Sequence, residues 1–229
     1  MDYNTLFSQI QTYTENIFPD TYLANGSTVS YTTQINTFIQ QAESRIYNTV
    51  QIPSLRKNVT GNCSSTTVYL GCPNDYLSTY SMAVIGTDGA YTYLLNKDVN
   101  FIRESYPDPT ATGLPRYYAL FGSRLNDPNE LSFMLGPKPD ANYGVELHYF
   151  YYPTSIVDAG TSWLGDNYSP ALLYGSLVEA YSYMKGEPDL LAMYNTKYQE
   201  AMQQLNRLGT GLERGDAYRD GQAKIKVNP

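Results

Sequence analysis

Three kinds of residue in this chain could do chemistry: its single histidine, His148, its two cysteines, Cys63 and Cys72, and a set of loop carboxylates. Acyl transfer by a Ser–His–Asp set needs an imidazole to take the serine proton, and only His148 could supply one. That residue falls in the middle of an alternating run, on the face it shares with Glu146 and Phe150, which suits a structural or surface role. Cys63 and Cys72 bound the short segment CSSTTVYLGC and could meet across a hairpin. With one histidine they do not complete a zinc set, and two reduced thiols in a cytoplasmic product is the simpler reading. Asp88, Asp98, Glu104, Asp108, Asp140 and Asp166 fall in or near loops. Paired carboxylates cleave glycosides, but aspartate in such places ordinarily holds a turn, as in KPDAN around Asp140.

Signatures of other chemistries are absent: GxxxxGK followed by Ser or Thr, GxGxxG, GxSxG, HExxH and the EF-hand loop. No catalytic residue, metal or cofactor is expected, and the chain reads as a protein that is not an enzyme.

The elements that position these residues run as helices, then strands, then helices. Leu6, Phe7, Ile10, Tyr13 and Ile17 recur at helical spacing over 3–17, and Pro19 ends the pattern. A polar loop, DTYLANGST, separates it from a clearer helix whose stripe is Ile35, Phe38, Ile39, Ala42, Ile46 and Val50, stopped by Pro53. From 56 to about 153, Pro, Gly, Asn and Asp punctuate short runs rich in Val, Tyr, Thr and Phe. Strands are predicted at 66–70, 80–86, 91–95, 116–121, 131–135 and 144–152, with Asp88–Gly89 as a hairpin turn and LNKDVNFIRESYP as a short helix or irregular turn. The turn GPKPDAN joins the last two strands, so these are expected to pair as an antiparallel hairpin.

Ser169–Pro170 reads as a cap followed by a first-turn proline, and Leu173, Leu177, Ala180, Tyr181 and Met184 follow at helical spacing up to Gly186. A second helix opens at Glu187–Pro188, carries Leu191, Tyr194, Tyr198, Ala201, Met202, Leu205 and Leu208, and is expected to close at Gly209. So short a gap predicts an antiparallel helical hairpin. The expected fold is α+β: an α-helical bundle from N- and C-terminal helices (1–55 and 165–211), an inserted antiparallel β domain (56–164), and an extended C-terminal arm (212–229).

Composition narrows the function classes further. The net charge of −7 argues against a chain that grips nucleic acid, although an acidic wall keeps a passing duplex from sticking. Tyrosine is over-represented, at 24 of 229 residues; it suits both strands and surfaces that a partner covers. Met1-Asp2-Tyr3-Asn4 lacks a basic region and an apolar run, so no leader is expected, and no stretch is apolar enough for a membrane span. From Arg214 onward four basic residues stand against two acidic ones, the reverse of the whole chain. Ordering about 15 such residues costs roughly 15–30 kcal/mol of backbone entropy. Tyr218, Ile225 and Val227 cannot offset that by burial, so the segment reads either as a frayed tail or as an arm that orders against a partner.

Four segments carry a family resemblance: FIQQAESRIYNTVQIPSLRKNVTG, LLNKDVNFIRESYPDPTATGLPRYYALF, FMLGPKPDANYGVELHYFYYP and TSWLGDNYSPALLYGSLVEAYSYMKGEPDLLAMYNTKYQEAMQQL. In this order and spacing, over about residues 35 to 208, the chain resembles podovirus-type phage head-to-tail connector adaptors, a group that includes tail tubular protein A. The resemblance implies a structural virion protein of the neck between head and tail, assembled in the host cytoplasm as a dodecameric ring. That ring would dock on the portal protein, extend the DNA channel and present a platform to tail tube or nozzle proteins. Its partners would be the portal, neighbouring copies of itself and the tail, with DNA passing through the lumen without sequence-specific binding and no membrane involved. The resemblance also implies portal contacts from the C-terminal arm, here at Arg214, Tyr218, Arg219, Lys224, Lys226 and Val227. The alternative is a tail-associated carbohydrate-binding or cell-wall-active virion protein, for which Tyr-rich strands would suit sugar stacking.

Overall fold

A largely apolar helix has to be covered over much of its surface, and α6 (Ser169–Met184) is one, burying Ala171, Leu172, Gly175, Ser176, Leu177, Ala180 and Tyr181. The computed structural model describes residues 1–23, 26–122 and 131–213, the last three through the backbone alone. It is an α+β structure of two units, one made of residues 1–54 with the chain from 153 on, the other Leu55–Tyr152.

In the helical unit, α6 packs against α1 (Tyr3–Thr14), α2 (Tyr31–Thr49), α5 (Trp163–Asn167) and α7 (Pro188–Glu213). A one-turn helix, α4 (Ile156–Ala159), and a small antiparallel ribbon of β1 (Thr21–Tyr22) and β2 (Thr28–Val29) complete it. Side-chain caps start the first two long helices: Asp2 accepts from the Thr5 N–H at 2.8 Å and Ser30 from the Thr33 N–H at 3.2 Å. The predicted stripe of α2 is buried as expected, with Ile35, Phe38, Ile39, Ala42 and Ile46 all inside. Glycine lets three helices meet. A Cβ on Gly175 would stand 3.1 Å from Ala42 Cβ and 3.2 Å from Tyr198 Cε2, so α2, α6 and α7 approach at a point where no side chain fits.

Glu43 on α2 is the one buried carboxylate of this unit among the described residues, at 3% exposed. Its Oε1 accepts the Ile156 N–H at 2.9 Å, and Ser155 bonds the same side chain, which anchors the start of α4 to α2. Burial pushes its carboxyl above the ordinary glutamate range, Asp158 adds to this, and the two hydrogen bonds only partly oppose it.

The β unit is two four-stranded sheets. One has the order β3 (Arg56–Cys63), β10 (Tyr143–Tyr151), β5 (Tyr76–Ile85), β6 (Tyr91–Tyr93); the other β4 (Tyr69–Gly71), β9 (Ser132–Gly136), β8 (Tyr117–Phe121), β7 (Leu95–Asn96). All pairings are antiparallel except β7 with β8, which is parallel. Met82, Val84, Val145, Leu147 and Tyr149 of the first sheet share one buried cluster with Tyr118, Phe133 and Leu135 of the second. The Tyr76 and Phe133 rings meet edge to face at 5.5 Å across it. The other face of the second sheet is covered by α3 (Val99–Ser105), whose Ile102 packs with Ala119 and Met134. Covered on both faces, β9 is buried along its whole length.

Several expectations change here. The strands on either side of GPKPDAN do not form a hairpin: β9 pairs with β4 and β8, β10 with β3 and β5. Both strands turn an apolar face to the same interior, so they lie across the core from each other, in different sheets. Strand β3, outside the six predicted strands, carries Gly61 and five polar or charged residues among its eight; its partner β10 supplies the pairing. Ser169 is already helical, and α6 has no side-chain cap. Lys185, at φ 53°, takes the left-handed position at the end of α6 in place of Gly186. Helix α7 runs through Gly209 to Glu213; a Cβ at Gly209 would stand 3.2 Å from the Gln51 carbonyl oxygen, so this glycine serves a close approach and not a stop. Residues 153–164, read as part of the β block, hold α4 and the start of α5 in the helical unit.

Gly175→Leu is expected to lower stability by about 1–3 kcal/mol in urea unfolding, as overpacking does; unchanged stability would mean the three helices are not this close. For Glu43 the folded state holds the proton more tightly than the unfolded chain. Its contribution is therefore full below the ordinary glutamate value and is lost as pH rises through the raised folded value. Glu43→Gln keeps an acceptor for the Ile156 N–H and is expected to flatten that fall in a series of urea midpoints against pH. An identical slope in both proteins would assign it elsewhere.

Candidate assembly surface

The loop carboxylates are occupied with local structure. Asp88 accepts from the Ala90 N–H at 3.0 Å in the β5–β6 turn, and Asp98 caps α3 through the Asn100 N–H at 2.7 Å. Asp108 accepts from the N–H and the hydroxyl of Thr110, at 2.8 and 2.6 Å, and these bonds hold its carboxyl below the ordinary aspartate range. Asp140 accepts from the Tyr143 hydroxyl at 2.6 Å. Asp166 faces the Met1 ammonium group at 3.7 Å, and Glu104 is exposed on α3.

His148 Nδ1 lies 3.3 Å from the Ser81 hydroxyl, while the nearby Glu146 carboxylate accepts from Asn58 Nδ2 at 2.8 Å on the same sheet. The serine and imidazole thus meet, but the carboxylate on that face is bonded to an amide. Neither cysteine is in a disulfide; Cys63 is buried and Cys72 half-buried. Among the described residues no group of three His, Cys, Asp or Glu could hold a metal ion. The residues expected to meet the portal, Arg214, Tyr218, Arg219, Lys224, Lys226 and Val227, lie outside the described residues.

What the fold presents instead is uncovered apolar and aromatic surface. Tyr76, Tyr118, Tyr149, Tyr194 and Tyr198 are in the cores, whereas Tyr22, Tyr91, Tyr93 and Tyr183 are each more than half exposed. Tyrosine is thus divided between the cores and the surface. In the helical unit, Ile17 and Tyr31 border a groove of about 400 Å³ with Phe7 and Phe18. In the β unit, the edge strands β6 and β7 carry Tyr91, Tyr93 and Leu95.

Strand β3 is the opposite edge of the first sheet, and one end of it is pinned. Asp75 accepts from Lys57 Nζ at 2.6 Å and from the Tyr149 hydroxyl at 2.8 Å, and its carbonyl accepts the Tyr152 N–H at 2.8 Å. Arg56 stacks 3.9 Å above the Tyr80 ring and Lys57 3.9 Å above Tyr151. Partial burial works to raise the Asp75 carboxyl, but the bonds from Lys57 and Tyr149 with the Lys57 charge outweigh it and hold it below the ordinary range. Tyr149 is pushed up to about 12, by burial first and then by Asp75. The run YTYLL reads as a strand, but the sequence does not say which of its side chains are left outside.

Residues 1–223 match the family model of the SU10 adaptor protein. The chain belongs to the SU10 adaptor protein family. No curated protein matches the sequence. An SU10 adaptor has a structural role as a phage head-to-tail adaptor, and exposed contact surface suits such a role. Among the described residues, no helix is long and apolar enough to cross a membrane.

Because the Asp75 carboxyl is lowered in the folded state, its contribution to stability is present above the ordinary aspartate value and is lost as pH falls through the lowered folded value. Asp75→Asn is expected to flatten the acid limb of the stability profile, read by urea unfolding. An acid limb as steep as that of the wild type would show that the Lys57–Asp75–Tyr149 set does not shape it.

Proposed function

We propose that this SU10 adaptor forms a ring beneath the portal that extends the DNA channel and gives tail components their platform. In this reading it is of podovirus type and related to tail tubular protein A. It sits at the neck of the virion after assembly in the host cytoplasm, with twelve copies to the ring and tail tube or nozzle proteins below. The family match over residues 1–223 carries the reading; the exposed aromatic residues of both units support it, since a ring subunit needs contact surface and no catalytic group.

The portal contacts are assigned to Arg214, Tyr218, Arg219, Lys224, Lys226 and Val227, as the resemblance to connector adaptors implies; the basic balance of that segment in an otherwise acidic chain supports it. Copies add to the portal once DNA is packaged, and many weak contacts act together on a preformed template. The net charge of −7 suits a channel wall that lets phosphate slide past.

Light scattering of the dilute protein is expected to give a monomer, and mixing with the portal of the same phage to give rings visible by electron microscopy. Failure to associate with that portal would overturn the reading.

A further inference from the structure

Phosphate is held by lysine and arginine, and the two units differ in how they supply them. The helical unit up to the end of α7, residues 1–54 and 153–213, holds four basic residues against eleven acidic ones. Leu55–Tyr152 holds seven against nine, and from Arg214 on there are four against two. The net charge of −7 is therefore the charge of the helical unit, because the other two stretches cancel.

The four cations of the helical unit are Arg45, Lys185, Lys197 and Arg207. Arg45 is bonded to Glu179, and Lys197 to Glu200 at 3.3 Å, so half of them already face a carboxylate. In the β unit, by contrast, Lys57, Lys97, Arg103 and Arg116 are exposed among five exposed acids, which leaves its described surface close to balance.

The imbalance gathers where α1 ends, α2 begins and α6 turns into α7. The Tyr181 hydroxyl reaches the Tyr13 carbonyl at 3.3 Å and Asn16 Nδ2 the Met184 sulfur at 3.1 Å, while the Phe18 and Phe38 rings both lie against Tyr183. These contacts bring residues 13–34 and 181–191 to one end of the helices. That end carries Glu15, Asp20, Glu187 and Asp189, all exposed, against one cation, Lys185.

We propose that this acidic end of the helical unit is the surface that faces DNA in the assembled channel. A wall beside a moving duplex has to offer negative charge and few phosphate donors, and this end does both. Repeated in every copy, it is a poor surface for one copy to press on the same surface of another, since like charges brought together there repel. Turned to the lumen, it keeps its water and counterions. The inference rests on the adaptor reading for the channel itself and adds which part of the chain lines it.

The test uses rings of the full-length protein on its portal, seen first by electron microscopy. Rings carrying Glu187→Lys and Asp189→Lys are expected to retain linear duplex DNA, because every copy then grips the same threaded duplex. Retention is expected to fall steeply between about 50 and 200 mM salt. Closed circular DNA cannot thread and is expected not to be retained. Wild-type rings, and rings carrying Asp88→Lys and Glu104→Lys in the β unit, are expected to retain neither form. Equal retention of linear and circular DNA would put the reversed residues on an outer surface and overturn the proposal. So would no retention, preferential capture of linear DNA by the β-unit variant, or loss of rings in the Glu187 and Asp189 variant alone, which would place this end in a protein contact. In those cases the adaptor reading stands; absence of rings from wild type would overturn that reading and this inference with it.

Discussion

Two short sheets stacked on one apolar interior bury their inner faces but leave their edge strands open, and that limit shapes the β unit. Phe133 and Leu135 of β9 pack with Val145 and Leu147 of β10 in one cluster, which fixes which face of each strand points inward. Stacking does not close a sheet on itself, so four edges remain. Hydrogen bonds and stacked cations hold one end of β3 through Lys57, Arg56 and Asp75. Beyond that end the short β4 leaves Val59 beside an open slot. The edges are thus a direct consequence of strand lengths.

The helical unit is organised by a different constraint, close approach. Helix α6 is largely apolar and is covered where α2 and α7 come near; Gly175 removes the side chain that would prevent it. Glu43 is an exception to the apolar interior, since a buried carboxylate is costly to ionise. The N–H of Ile156 and the side chain of Ser155 are its compensation, and they secure the chain where it re-enters the helices.

The chemistry that the residue types could have supplied is used for structure. Asp88, Asp98, Asp108 and Asp140 each accept a hydrogen bond close in sequence, and the carboxylate nearest His148 is bonded to Asn58. Tyrosine is divided between cores and surface, and its exposed members are the features a structural adaptor would present to its neighbours.

Local patterns determined much on their own. The α+β class, the stripe of α2 and the Asp88–Gly89 turn are all legible, because a helical period or a turn residue acts over a few neighbours. The residue that ends α6 and the reach of α7 past Gly209 were not legible, since packing overrides a glycine signal. Nor was the separation of β9 from β10, because strand partners are chosen by long-range burial that no window of sequence contains. The tertiary structure alone decided which apolar side chains stay outside. Tyr91 and Tyr76 are the same residue type in neighbouring segments, and only the position of a strand within its sheet makes one a surface and the other a core.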